Sequence, residues 1–316
     1  MVSAKERNMF RFTKRSTCAD VLRIVTVWLV VLGCSSVFAS PPLPKHGVEG
    51  SGGIFSTYSA YLVNPAEEGK VIGLPAVSVI GVYLGNGRNL SAFTITETFW
   101  DRLELGYGLD RFDTGDLNDE IERATTLRPS DDAVELHNFN LRLKLLKEGC
   151  LGEWSPTVTF GIHYKYNPDI MDINRDLLGT IRSIGIKDND GLDYTLYASK
   201  MLSLCGRPLM LNAGLRSTEA AHIGLLGFTD ERRIVAEGSV CFMPLDRVVL
   251  AAEYRQKPNE YDRIPGLVED EDDWWTLCAA YIFNDHLSAA VGYAHFGNVL
   301  NHEANRSVGA SIKYEF

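Results

Sequence analysis

From residue 76 to residue 316 the chain repeatedly alternates apolar and polar side chains with a period of two. The last ten residues show it most plainly. Val308, Ala310, Ile312, Tyr314 and Phe316 fall on one face, and Ser307, Gly309, Ser311, Lys313 and Glu315 on the other. This period belongs to strands with one apolar and one polar side. It recurs where Leu103, Leu105, Tyr107 and Leu109 oppose Glu104, Gly106, Gly108 and Asp110. Reading the whole chain this way predicts twelve strands, at 76–84, 90–99, 103–110, 137–145, 158–165, 192–199, 209–216, 234–242, 248–257, 274–283, 287–296 and 307–316. Short connections fall near 101, 150, 206, 245 and 285, and longer ones near 120, 178, 225, 265 and 301.

A secreted β-sandwich alternates too, but it has no reason to alternate short and long connections. Outer-membrane barrels do, with short periplasmic turns, long external loops and an even strand number. Aromatic residues gather near the expected strand ends, as two interfacial girdles require: Trp154, Phe242 and Phe283 on the inner side, Tyr164, Trp274, Trp275 and Phe296 on the outer. The predicted fold is all-β: a transmembrane antiparallel up-and-down β-barrel of about 12 strands, closed by the C-terminal strand. Ile312, Tyr314 and Phe316 form the terminal aromatic pattern expected to be read by the barrel-assembly machinery.

The N-terminus supplies the route to that membrane. Lys5, Arg7, Arg11, Lys14, Arg15 and Arg23 precede the short apolar stretch 24–32, and Val37-Phe38-Ala39 offers a cleavage site. Nine apolar residues are too few to cross ~30 Å of hydrocarbon, so 1–39 reads as a signal peptide and not an anchor. Residues 40–74 are a Pro/Gly-rich segment expected to lie in the periplasm or tucked into the barrel, and 75–316 make the barrel. The glycines of 47–53 do not form a phosphate loop, since no Lys-Ser/Thr follows them and no strand precedes them. The expected location is the outer membrane of a Gram-negative bacterium, reached by Sec-type export.

The chain carries 31 basic and 41 acidic residues, a formal net charge of −10; loss of residues 1–39 removes six basic and two acidic ones, for a net of about −14. That balance argues against a nucleic-acid partner. Cys150, Cys205, Cys241 and Cys278 match no zinc or haem spacing. They read as four free thiols, or with one bridge, Cys150–Cys205, on the periplasmic rim.

Several stretches resemble an uncharacterised family of bacterial outer-membrane β-barrel proteins, a domain-of-unknown-function family. They are G-V-E-G-S-G-G (47–53), W-D-R-L-E-L-G-Y-G-L-D-R-F-D-T (100–114), G-L-D-Y-T-L-Y-A-S-K (191–200), G-L-L-G-F (224–228), A-E-Y-R-Q-K-P (252–258) and E-D-D-W-W (271–275). The resemblance spans roughly 47–316 and implies the barrel and its membrane. It brings no substrate, activity or functional residue with it.

The polar faces predict a lumen lined by Arg142, Lys144, His163, Lys165, Asp193, Arg216, Glu237, Glu253, Arg255, Lys257, Lys313 and Glu315. In a 12-stranded barrel such side chains must meet across the interior. Two readings follow: a narrow channel for small polar solutes, or a closed structural or scaffold barrel acting through its loops. A remote third, an outer-membrane lipid hydrolase, would need a nucleophile beside His137 or His163, and no nucleophile motif accompanies either. No catalytic residue, cofactor or metal is predicted, although the acidic run 269–273 is a minor candidate for calcium. The expected partners are membrane lipid and, during biogenesis, the assembly machinery.

Overall fold

The computed structural model describes residues 45–67 and 69–316. The signal-peptide reading lies outside the described residues. Twelve strands form a closed antiparallel barrel. They are β1 (Ala76–Gly85), β2 (Arg88–Phe99), β3 (Leu103–Asp113), β4 (Ala133–Leu146), β5 (Thr157–Tyr166), β6 (Asp190–Leu204), β7 (Arg207–Ala220), β8 (Phe228–Leu245), β9 (Val248–Arg255), β10 (Trp274–Ile282), β11 (Leu287–His295) and β12 (Ser307–Glu315). Each strand pairs with the next in the chain, and β12 closes on β1 with Ile312 opposite Val79. The barrel sheet has no open edge, as a hydrocarbon environment demands.

The alternation sorts the side chains as read. On β12 Ser311, Lys313 and Glu315 are buried while Val308, Ile312 and Tyr314 are exposed; on β9 Glu253 and Arg255 are buried while Leu250 and Tyr254 are exposed. Val79, Phe93, Leu141, Leu196, Leu277 and Val291 extend this outward apolar surface around the barrel. A water-facing protein does not carry so continuous an apolar belt; a lipid-facing barrel must.

The two ends differ. At one end the connections 100–102, 147–156, 205–206, 246–247 and 283–286 join strands tightly. At the other, β1 and β2 meet in the two-residue turn Asn86-Gly87, both at positive φ (49° and 73°), as a hairpin of this length prefers. Of the other connections at that end, 221–227 is a compact turn and the rest are long and structured. Residues 114–132 contain helix α1 (Leu117–Thr125), and 167–189 contain α2 (Ile170–Asp176) and α3 (Thr180–Ser183).

Two expectations need correction, and of the two cysteine readings the bridge is the one not seen. The loop anticipated at 218–233 shrinks to 221–227, because β7 runs to Ala220 and β8 starts at Phe228 opposite it, with a register shift between Phe228 and Arg233. Beyond the lipid belt the outward face has no reason to be apolar, and Thr229 to Arg233 give no alternation to read. Trp274 and Phe296 are buried and meet edge-on at 4.9 Å, so neither belongs to the outer girdle; Trp275 and Tyr164 remain exposed. The bridge Cys150–Cys205 is not formed: all four cysteines of the described residues are free. β6 runs on to Leu204, paired with Arg207, well past Ser199 opposite Thr157. Cys205 therefore sits at a turn tip beyond the rim of β5, while Cys150 sits in its own separate turn.

Candidate functional site

Residues 45–63 lie inside the barrel. They pass through the lumen as a folded-back segment in which Lys45–His46 pairs with Gly52–Gly53 and Val48, Phe55, Tyr58 and Val63 are all buried. Turns such as Val48 N–H to the Phe55 carbonyl (3.0 Å) satisfy part of its backbone, and the wall supplies much of the rest. Asn140 Nδ2 donates to the carbonyl of Glu49 (2.8 Å), Asn212 Nδ2 to that of Tyr58 (2.7 Å) and Thr159 Oγ1 to that of Ala60 (2.6 Å). Ser199 Oγ accepts from the Ala60 amide (2.8 Å). The Glu104 carboxylate accepts from the amides of Gly52 (3.2 Å) and Val63 (2.7 Å) while pairing with Arg142 at 2.8 Å. Glu253 accepts from three successive amides, Phe55, Ser56 and Thr57, at 2.9–3.1 Å. This is a backbone nest closed on a carboxylate.

At the centre stands Glu49. Arg216 grips its carboxylate with both terminal nitrogens (2.8 and 3.0 Å), and Arg255 Nη1 lies at 2.9 Å. Lys165 pairs with it as well. The forked guanidinium matches a carboxylate bidentately, the strongest geometry open to such a pair. Asp193 bridges Lys165 (3.3 Å) and Arg216 (3.1 Å), and Glu237 lies 2.7 Å from Arg216 Nε and 3.3 Å from Arg255 Nε. Three cationic side chains thus face three acidic ones. Above it the Tyr58 ring stacks on His163 at 4.8 Å, with the Arg216 guanidinium 4.7 Å from its centre.

Close approach here depends on missing side chains. Gly50 has φ +83°, and a Cβ on it would come within 2.6 Å of the Gly108 amide nitrogen. A Cβ on Gly106 would meet the Gly50 carbonyl at 2.3 Å. The stretches 47–53 and 100–114 are therefore two sides of one contact.

All twelve residues predicted to line the lumen can now be placed. Arg142, His163, Lys165, Asp193, Arg216, Glu237, Glu253, Arg255, Lys313 and Glu315 are buried in the interior. Lys313 and Glu315 pair near the short-turn end. Lys144 is half-buried at the same rim, 2.5 Å from Asp101. Lys257 lies past the end of β9 and pairs with Glu271 (3.1 Å). His137 and His163 are not brought together. His137 meets the Tyr107 hydroxyl at 2.8 Å on the outer face, and the ring nitrogens of His163 meet Asn140 Oδ1 (2.6 Å) and Thr195 Oγ1 (2.9 Å). The acidic run does not converge either: Glu271 goes to His222 and Lys257, Asp273 to the Tyr254 hydroxyl, and Asp270 to Asn259. Among the described residues no group of three ligands is placed to hold a metal.

Sequence reasoning missed Glu49, Glu104, Asp110 and His46. Glu104 and Asp110 were available from the alternation in 103–110. His46, between the Thr94 and Thr96 hydroxyls at 2.8 Å each, and Glu49 belong to no periodic stretch and gave no such signal.

A family model described as "Protein of unknown function (DUF3034)" matches residues 46–313. No curated protein matches the chain. Solved structures with a similar trace include the KdgM porin (TM-score 0.48, 8% identity, 76% of this chain and 99% of that one). The NanC porin (0.45, 11%, 76% and 98%) and an outer-membrane channel from Pseudomonas putida F1 (0.43, 10%, 80% and 98%) are others.

Proposed function

The chain belongs to the DUF3034 family, and from that footing we propose that it is an outer-membrane channel for small polar solutes, held shut in this state by its own segment 45–63. The carrying observation is the pairing of Glu49, from the segment, with Lys165, Arg216 and Arg255 of the wall. A barrel that only needed filling would be served as well or better by apolar side chains, because buried ion pairs are costly to desolvate. A charged interior suits a lumen that fills with water when the segment leaves. Each wall group that now bonds the segment would then bond water or a solute. In this reading residues 1–39 direct Sec-type export, and Ile312, Tyr314 and Phe316 engage the assembly machinery.

The test is single-channel conductance in a planar bilayer. The intact barrel should be silent or open rarely, and a variant lacking residues 45–63 should pass steady ion current. Glu49→Gln, which removes one charge and little volume, should raise the open fraction between those limits. Silence in all three would support instead a closed scaffold barrel that works through its loops. Release of fatty acid from lipid vesicles by the purified barrel would support a lipid hydrolase.

A further inference from the structure

The long loops enclose a second, separate feature. A cavity of about 110 Å³ lies among them at the long-loop end. Its walls come from five stretches of chain: α1 (Leu117, Ile121), α2 and α3 (Ile173, Ile181), the turn after β7 (Leu226), the loop after β9 (Val268) and the connection before β12 (Leu300). We infer that this cavity is a binding site for a small apolar molecule of about benzene's size. The inference does not depend on whether the lumen conducts.

Three observations carry it. The first is size and lining. Apolar cavities of ~150 Å³ walled by Leu, Ile and Phe stay dry and take up benzene or xenon, and this one is of that order. Water finds no partners there. Protein interiors are normally packed without such voids, and a shell built of loops is free to collapse in a way that a strand-built wall is not.

The second is that most polar side chains reaching the cavity are bonded elsewhere, the exposed Asp131 at its rim being the exception. Asn118 Nδ2 donates to the Asp131 carbonyl and to Asp132 Oδ1 (2.8 Å each), and Thr180 Oγ1 donates to the Leu177 carbonyl (2.6 Å). Thr114 Oγ1 donates to the Asp132 carbonyl (3.0 Å) and Thr125 Oγ1 to that of Ile121 (2.7 Å). His222 has Nδ1 3.0 Å from Glu271 Oε1 and Nε2 2.7 Å from the Tyr261 hydroxyl. With those bonds made, the lining favours an apolar ligand over a hydrogen-bonding one.

The third is the backbone beside the wall. His222 of the lining and its neighbour Ile223, just behind it, both sit at positive φ (45° and 62°). For a β-branched residue this is an outlier that the surroundings must hold in place, and such strain gathers at ligand clamps and switch regions.

The experiment uses the full chain refolded in lipid nanodiscs, with isoleucine methyl groups followed by NMR during a benzene titration. The methyls of Ile173 and Ile181 should shift and saturate. That of Ile312, on the lipid face, should drift linearly as benzene partitions into lipid. Glycerol should move neither cavity methyl. Leu300→Phe and, separately, Ile181→Phe should fill the space and abolish the saturable phase, read at Ile173, with the remaining barrel spectrum intact. The inference fails if the cavity methyls drift without saturation like Ile312, if glycerol shifts them equally, or if folded filled variants still saturate.

Discussion

Glu49 and Gly50 are adjacent but hold the lumen segment by different means. Glu49→Gln leaves Lys165, Arg216 and Arg255 facing only Asp193 and Glu237, and breaking a buried pair by removing one partner costs about 3–5 kcal/mol. Gly50→Ala keeps every charge but puts a Cβ 2.6 Å from a backbone nitrogen at φ +83°, where only glycine is at ease. Both should lower amide-exchange protection of 45–63 while the barrel strands keep theirs. Unchanged protection in Glu49→Gln would mean that charge does not hold the segment. Glu260, in the loop after β9, makes a pH-dependent case. Burial pushes its carboxyl up to about 7 from 4.5, against the pull of Lys257 and Arg233. Between those values the folded loop keeps a proton that the unfolded loop has released. Its stabilising effect is complete below about 4.5 and is lost as pH rises through about 7. Exchange in 258–272, corrected for intrinsic rates, should therefore report easier opening at pH 8 than at pH 5, and Glu260→Gln should flatten the difference.

At the scale of one strand, β9 separates two kinds of damage. Leu250 faces out and Glu253 faces in. Leu250→Arg places a charge against lipid beside Phe242, toward the inner girdle, and should cost about 1–4 kcal/mol, the span from interface to bilayer centre, seen as a lower urea midpoint for barrel unfolding. Glu253→Gln weakens the nest of Phe55, Ser56 and Thr57 amides and should loosen 45–63 with a much smaller effect on the barrel itself. Equal losses of barrel stability would contradict the facing. This strand was legible in the sequence because lipid on one side and polar fill on the other impose a period of two. The helices α1–α3 were not, since they rest on the loop core and not on lipid. Leu117, Ile170, Ile173 and Ile181 look like scattered apolar residues in an acidic loop until the cavity they surround is known. Trp274 misled for a related reason. It lies at a strand end, as girdle residues do, but it faces inward, where Arg255 and Lys257 lie over its ring at 5.5 and 5.2 Å.

For the whole molecule, the family match begins at residue 46 and so includes the lumen segment together with the barrel. The segment could not be placed from sequence because its order is borrowed from the wall: Glu49, Gly50 and Tyr58 each depend on residues far along the chain. The way it is attached has a further consequence. Residues 64–75 join it to β1 along the short-turn rim, where the Gly73 amide donates to the Thr98 carbonyl (2.8 Å) and the Trp100 amide to that of Val71 (2.7 Å). Lys70 and Glu67 on this link are exposed. Docking is therefore intramolecular, and a short tether sets an effective concentration on the order of millimolar. A protease site built in at 67–70 would turn the same contacts into a two-molecule equilibrium. After cutting and washing, ion current should appear in the bilayer, and a 45–63 peptide should suppress it in a dose-dependent way, matching the tethered block only as it approaches millimolar levels. Current that stays absent after the cut would mean that the contacts hold without the tether. Until it is cut, the segment stays beside its wall partners at a local concentration that dilution cannot lower.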